Sequence, residues 1–507
     1  MSSYKQRLEK ILDELLDEVL AYRHEPSSRG PNLADHLKIR LSIEKFIRDS
    51  VAITRAEAKL NVASIHKDKN HYTGLAITYD AHVVRTYGAL IALGYLKQTK
   101  LGVSDGVVGK FLTRYVATPK LIKKFDDDLL KVLPVVIGTH DVGETIRCQE
   151  NITIHHEGKM PTKKSVKLSY LNTDATNAMR NRLAIINQAI DTQWIDLEMS
   201  DADLVALARL MRTEQWQKDH PDAEPSINMS KRKLYRTFND VKFTTGGRFY
   251  GGWWQGLPKD ARRQLMVNGR RLVEVDYSGL HPTILYHKKG LAAPIDPYNQ
   301  VLDQLGLDND LLGLTGKNEE MSRRDAIKVA VNAMLNAPNP LQRAPNNVHI
   351  KLLGLKSKSL WNELSTAILL AFKDIEQYFY TGAGSWLMRL DSDIAEKVLL
   401  HFAKHQKGPI PCLPMHDSFL IDPAYDTELV LVMRQAYRDV TGFTFNIDQK
   451  IKLPVLELHD DTQVFGHPPT TEGWYLRTEA FKYRDPLVLT KPEPLVLTQS
   501  EPLILTR

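Results

Sequence analysis

A chain of 507 residues, 43% hydrophobic and 25% charged, has the composition of an ordinary globular protein with room for roughly two or three domains. No apolar run is long enough to cross a bilayer as a helix. Two cysteines, Cys148 and Cys412, exclude a disulfide framework and a zinc site of the usual ligand count. The net charge of +6 and the pI near 8.9 permit a nucleic-acid partner without requiring one.

In chain order, residues 3–22 read as a charged amphipathic helix and not as a secretory signal, so a cytoplasmic location is expected. A second helix follows, after the loop-forming run Glu25-Pro-Ser-Ser-Arg-Gly-Pro31. Residues 78–93 read as another helix, with Thr78 as its cap and Gly94 as its stop. Residues 95–100 and 109–117 read as two strands joined by a Gly/Ser/Asp loop. A helix followed by a hairpin is the order of a winged helix-turn-helix. Basic residues gather there: Arg85 on the helix, and Lys97, Lys100, Lys110, Arg114, Lys120, Lys123 and Lys124 on or near the wing. A wing of this kind contacts phosphates while its helix faces a groove. The same elements also suit a packing module with a solvated basic face. Residues 1–125 are thus expected to form a nucleic-acid-binding region.

Residues 126–235 read as a linking region. Asp126-Asp-Asp128 suits a solvated loop or a helix start, and Pro134 confines a strand over 132–137 to a sheet edge. A helix begins near Asp174 and carries Arg180 and Arg182. His155-His156 has no cysteine nearby and reads as surface. Gly313-Leu-Thr-Gly-Lys317 is similar to the end of a P-loop, but Leu311 stands where the first glycine belongs, so it reads as a turn.

Three stretches downstream carry chemistry. An apolar strand over 272–275 delivers Asp276 at its end, Tyr277, Ser278 and Gly279 turn the chain, and a helical run with Ile284 and Leu285 follows. An Asp at a strand-to-helix turn can equally be an N-cap. Residues 411–422 read as two short strands with His416-Asp-Ser418 at their turn. Between these stretches a helix over 322–336 puts Arg324, Lys328 and Asn332 on one face, which Asn336 continues. Read alone, that face is a solvated cationic stripe. Read with two carboxylates, it suits phosphoryl chemistry: the carboxylates hold two Mg²⁺ and the cations take a triphosphate.

These stretches resemble motifs A, B and C of the superfamily that joins family A DNA polymerases to phage-type single-subunit RNA polymerases. Asp276-Tyr-Ser is similar to motif A, Arg324 and Lys328 to the R-x-x-x-K of motif B, and His416-Asp417 to motif C. Thr244-Thr-Gly-Gly-Arg248, followed by Trp253-Trp-Gln-Gly-Leu-Pro258, is similar to the segment that precedes motif A. Leu390-Asp-Ser-Asp-Ile-Ala-Glu396 sits where the family has a helix leading into motif C. The resemblance spans about 235–445, with every motif in the family's order.

The resemblance implies an α+β right-hand polymerase with an antiparallel palm sheet and helical fingers and thumb, preceded by a helical winged helix-turn-helix domain. The palm and fingers would occupy 236–460, and the helix carrying Arg180 and Arg182 would lie, by position, where a thumb grips duplex product. It implies that Asp276, Asp417 and the backbone carbonyl of Tyr277 bind two Mg²⁺, with Mn²⁺ as a substitute. Lys328 would neutralise the triphosphate and protonate pyrophosphate, Arg324 would pair with phosphates as a planar fork, and His416 would stand beside the metals. Tyr277, Ser278, His281, Asn332 and Asn336 would line the nucleotide, and Arg248 would hold template or product backbone. Expected partners are a DNA template or primer–template duplex and nucleoside triphosphates, with no membrane.

The sugar is left open by the sequence, with a lean to DNA. His281 replaces the Glu of the DNA polymerases and the Gly of the RNA polymerases. Asn336 replaces a Tyr, and His416-Asp-Ser-Phe419 is similar to the RNA enzymes. No exonuclease signature precedes the palm, so no proofreading is expected. A winged module on a compact polymerase points to a replication enzyme of a plasmid, phage or integrated element. Three other activities fit the same motifs: RNA synthesis without a primer, template-independent nucleotidyl transfer, and DNA binding by an initiator or regulator with an inactive palm.

After motif C an amphipathic helix is expected over 426–440, packing under the palm sheet, then a strand over 450–458. The tail, 461–507, holds Pro486-Leu-Val-Leu-Thr, Pro494-Leu-Val-Leu-Thr and Pro502-Leu-Ile-Leu-Thr at a period of eight. Proline opposes helix there. Strand addition to a protein partner or to the body, and a structureless tail, are both open readings.

Overall fold

The structure, a computed structural model, describes residues 4–23, 33–54, 63–65, 82–100, 104–105, 109–110, 113–126, 129–130, 144–156, 159–212, 227, 229, 231–277, 279–312 and 321–445. The expectations for Thr78, Asp127, Asp128, the strand over 132–137, the turn over 313–317, the strand over 450–458 and the repeat tail lie outside these residues. The fold is α+β, with several small sheets set among helices.

The N-terminal region is built on α1 (Tyr4–Arg23) and α2 (Leu33–Thr54). Leu8, Ile11, Leu12, Leu15 and Val19 recur every three to four residues and are buried, the apolar stripe of an amphipathic helix. The chain continues through β1 (Ala63–Ile65), α3 (His82–Ala92) and β2 (Leu96–Lys100). A two-rung ladder follows, β3 (Ser104–Asp105) and β4 (Gly109–Lys110), then β5 (Thr113–Ala117) and the short α4 (Pro119–Ile122). The predicted strand over 109–117 is thus two pieces, 109–110 in the loop ladder and 113–117 in the sheet. The sheet runs β1-β5-β2, all antiparallel. Phe46, Tyr87 and Tyr115 meet edge to face behind it, which locks α2 and α3 onto the sheet.

Next come the long antiparallel pair β6 (Ile146–His156) and β7 (Lys159–Leu168), then α5 (Asp174–Asp191). Thr173 caps α5, which starts at Asp174 as expected, in a reciprocal box with Thr176. Strand β8 (Ile195–Leu197) and α6 (Asp201–Leu210) follow. Strand β9 (Tyr235–Phe238) pairs parallel to β6 and antiparallel to β10 (Gly246–Tyr250), giving the order β10-β9-β6-β7. After the short α7 (Lys259–Arg262), β11 (Leu265–Val267) and β12 (Arg270–Arg271) close a small sheet with β8.

The next sheet holds the two carboxylates. Strand β13 (Val273–Asp276) leads into α8 (Leu280–Lys288), α9 (Pro297–Leu305), α10 (Arg323–Asn336), α11 (Leu360–Ala371) and α12 (Gly384–Ala403). The hairpin β14 (Leu413–Met415) and β15 (Ser418–Ile421) returns to pair with β13, and α13 (Asp426–Thr441) packs against β13, as expected for 426–440. The order β13-β15-β14 is antiparallel throughout.

Helix α12 is the central beam, in contact with α5, α13 and β10. Leu387, Ile394, Val398, Leu399 and Phe402 on it are at most 2% exposed, each worth about 1.5–3 kcal/mol of transfer free energy. Gly247 in β10 makes the close approach possible. Its φ of +89° suits only glycine, and a Cβ there would sit 2.7 Å from Phe238 and 2.8 Å from Ser392 on α12. Among the described residues, no helix is long and apolar enough to cross a membrane.

Candidate functional site

The register of β13 against β15 sets Asp276 directly opposite Ser418, one residue from Asp417. The Tyr277 backbone N–H donates to the Asp417 carbonyl at 3.4 Å, closing the ladder at that end. Two carboxylates far apart in sequence thus emerge on neighbouring strands at one sheet end. The hairpin loop is the two residues His416 and Asp417, since Met415 pairs with Ser418. His416 has φ +66°, a left-handed conformation that costs a non-glycine residue about 1–3 kcal/mol. Local strain of that kind is retained where the rest of the fold over-determines the turn.

Glu274 shares the sheet face of Asp276, two residues back, but its oxygens are engaged. Oε1 accepts from Ser418 Oγ at 2.7 Å and Oε2 from Arg262 Nε at 3.3 Å. Asp417 makes no hydrogen bond or ion pair with its side chain among the described residues. No cluster of three or more His, Cys, Asp or Glu with metal-binding geometry occurs among those residues.

Helix α10 is well specified locally. Ser322 caps it in a reciprocal box with Asp325, and its buried side carries Ala326, Ile327, Ala330, Val331, Met334 and Leu335. The opposite side carries Arg324, Lys328 and Asn332, as the spacing predicts. Arg324 Nε donates to Asp296 Oδ2 at 2.7 Å, and its guanidinium lies 5.1 Å from the Tyr298 ring centroid. Lys328 is half-buried and makes no ion pair among the described residues.

Tyr298 ties this helix to the carboxylates. It is 1% exposed, and desolvation pushes its phenol well above the usual value. The Arg324 charge pulls the other way, and the charges of Asp417, Asp296 and Asp276 reinforce the rise. The Tyr298 ring lies beside the Arg324 guanidinium and close to Gly279, where an added Cβ would sit 4.0 Å from it, three residues after Asp276.

Other residues differ from expectation. The Tyr277 side chain does not face a nucleotide: its hydroxyl donates to the Met433 carbonyl at 2.6 Å, and its ring packs on Phe419 and Phe445. Ser278 lies outside the described residues. Arg248, expected on nucleic-acid backbone, donates through Nε to Asp391 at 2.9 Å. His281 Nε2 sits 2.9 Å from Oδ2 of the same Asp391. The Asn336 amide folds back to the Asn332 carbonyl at 2.7 Å, on its own helix. His416 is exposed at the hairpin tip. Local desolvation, then the Arg248 charge, hold its imidazole below the usual value.

The N-terminal cations divide. Arg85 and Arg114 are exposed, on α3 and β5. Lys120 is used internally: its ammonium donates to the Leu93 carbonyl at 2.8 Å and sits 4.2 Å from the Tyr95 ring centroid. Lys124 pairs with Glu14 and Glu18 of α1. Lys110 lies in β4. Asp126 accepts from the Leu129 N–H and pairs with Arg7, so it caps a turn. Arg180 is turned inward to Glu144 at 3.0 Å, and Arg182 to Glu396 at 2.9 Å. The Arg180 side chain is 19% exposed and that of Arg182 38%.

Sequence reasoning missed the acids that hold these cations. Asp391, Ser392 and Glu396 are all buried on α12. Arg236, fully buried on β9, donates to Glu396 at 2.7 Å, to Ser392 at 2.9 Å and to the Gly247 carbonyl at 2.7 Å. The signal was present in the heptapeptide 390–396: acids on the apolar face of a helix require buried cations. Asp296 left no such mark, because an Asp before Pro-Tyr reads only as a helix cap. No protein-family model matches the chain, and no curated protein matches it.

Proposed function

We propose that this protein is a template-directed nucleotidyltransferase, a compact DNA polymerase without proofreading, with a winged helix-turn-helix module in its N-terminal region. The observation that carries the reading is the strand register that brings Asp276 and Asp417 to one end of the sheet β13-β15-β14. The order of the polymerase-like motifs along the chain supports it. So does the antiparallel sheet β13-β15-β14, with helices packed on it, which is the layout expected of a palm. For the N-terminal region the support is the order α1, α2, β1, α3 and then strands β2 to β5, with exposed Arg85 and Arg114.

Mg²⁺ prefers hard oxygen ligands, one or two carboxylates completed by water and substrate phosphates. Asp276, Asp417 and the Tyr277 carbonyl would supply that set at the end of the sheet. Bound Mg²⁺, or Mn²⁺ in its place, supplies charge neutralisation at the reacting phosphate. The chain's own groups do the rest. Lys328, without an internal acid, faces the triphosphate as a mobile point charge and proton donor. Arg324 presents a planar fork. Arg248 and His281, anchored on Asp391, form a fixed wall of the cleft.

The test is nucleotide incorporation with Mg²⁺ on primed and unprimed templates, with dNTPs and NTPs in separate tubes. Extension of primed template by dNTPs supports the DNA polymerase. Unprimed products from NTPs would move the assignment to RNA synthesis. Template-free addition would make it a terminal nucleotidyltransferase. No product in any tube, with duplex binding intact, would leave a DNA-binding regulator.

A further inference from the structure

Arg324 is not a freely mobile cation. It stands in the first turn of α10, and one carboxylate from another helix grips it. Asp296 accepts from Arg324 Nε through Oδ2 at 2.7 Å, while its Oδ1 accepts the backbone N–H groups of Tyr298 at 3.1 Å and Asn299 at 3.4 Å. Those two bonds make Asp296 the N-cap of α9, so its carboxylate is fixed by a helix end. Tyr298, two residues on, supplies the aromatic face beside the guanidinium.

The grip is on one edge only. Among the described residues no acceptor meets Nη1 or Nη2 of Arg324. A guanidinium held at Nε and stacked on a ring keeps its plane and orientation while two parallel N–H donors stay open. Two parallel donors match two phosphate oxygens. The ring that supports the guanidinium also lies near the turn after β13: a Cβ on Gly279, three residues past Asp276, would sit 4.0 Å from it.

We infer that Asp296 is the positioning residue for Arg324: it clamps the guanidinium against Tyr298 so that the free Nη edge receives the phosphates of an incoming nucleoside triphosphate. This rests on the nucleotidyltransferase reading. Two effects of Asp296 oppose each other. Its charge alone repels a polyanion, whereas its grip removes rotamer freedom that Arg324 would otherwise lose on binding. The sign of its removal therefore reports which role it has.

The experiment measures the dissociation constant of the matched dNTP, and separately of the matched NTP, on a complex of the full chain with a 3′-dideoxy-terminated primer–template and Mg²⁺. Wild type is compared with Asp296→Asn, Arg324→Gln and the double variant. Asn caps a helix about as well as Asp, so Asp296→Asn removes the charge and keeps the cap. Asp296→Ser, another good cap, provides a second route should the first variant fold poorly. The expected result is a weakening of about tenfold in Asp296→Asn, the cost of immobilising one rotamer-rich side chain on binding. In the Arg324→Gln background the same change is expected to leave binding equal or tighter, because only the repulsion is then removed. Tighter or unchanged binding by Asp296→Asn alone would overturn the inference. Equal weakening in both backgrounds would also overturn it. A wild-type chain that binds no triphosphate would overturn the nucleotidyltransferase reading itself, which is a separate and recognisable outcome.

Discussion

His281 Nε2 lies 2.9 Å from Oδ2 of Asp391, and the same buried carboxylate accepts from Arg248 Nε. One acid on α12 thus holds two residues that the sequence reading assigned separately, one to the sugar and one to nucleic-acid backbone. Asp391 is 2% exposed, so losing the Arg248 guanidinium would leave a buried carboxylate without its ion-pair partner.

Replacing Asp391 by Asn therefore costs stability as well as geometry. Removing one member of a buried charged group is expected to cost about 3 kcal/mol. Urea unfolding should show a lower midpoint with an unchanged slope. A loss under about 1 kcal/mol, the range of an exposed pair, would mean that the carboxylate is far better hydrated than its burial indicates.

His287 gives a pH dependence. Burial holds its imidazole below the ordinary value, with Nδ1 2.8 Å from the Tyr437 hydroxyl and the ring stacked on Phe443. The folded state thus binds fewer protons than the unfolded state just below pH 6.5, the usual His value. Stability is full above that pH and falls as pH drops toward the lowered folded value. Denaturant midpoints measured between pH 7.5 and 5 should fall more steeply in wild type than in His287→Gln. Parallel curves would remove His287 as a cause.

Gly384 opens α12 against the end of α10. A Cβ there would lie 2.0 Å from Asn336 Oδ1. Gly384→Ala should cost about 1–3 kcal/mol by overpacking, and Asn336→Ala in the same chain should recover most of it. Thermal unfolding of the two single variants and the double variant gives the coupling. Additive losses would mean that the two residues do not touch.

Much of the carboxylate geometry was legible because it is local. The apolar strand before Asp276, the hairpin with His416-Asp-Ser418 at its turn, and the 324–328–332 spacing each follow from periodicities of two or 3.6 residues, although Ser418 proves to be the first residue of β15. What was not legible is pairing between elements. Arg248, Arg180, Arg182, Lys120 and Lys124 read as available cations, yet each meets an internal acceptor, and sequence order says nothing about which acid a given arginine will find. Tyr277 reads as part of a motif, but its ring goes to the core because β13 alternates sides. The other two strands of the sheet come from a hairpin more than a hundred residues away, so the meeting of Asp276 and Asp417 could be inferred only from resemblance to the polymerase superfamily.

The most direct test of the central claim is single-nucleotide extension of a primed template with Mg²⁺ by wild type and by Asp417→Asn. Asp417 has no internal hydrogen bond or ion pair to lose among the described residues, so the variant should keep the wild-type circular dichroism and melting temperature. The account predicts extension by wild type and a rate at least about 10³-fold lower in the variant, about 4 kcal/mol of lost transition-state stabilisation. Extension by Asp417→Asn within tenfold of wild type would contradict it.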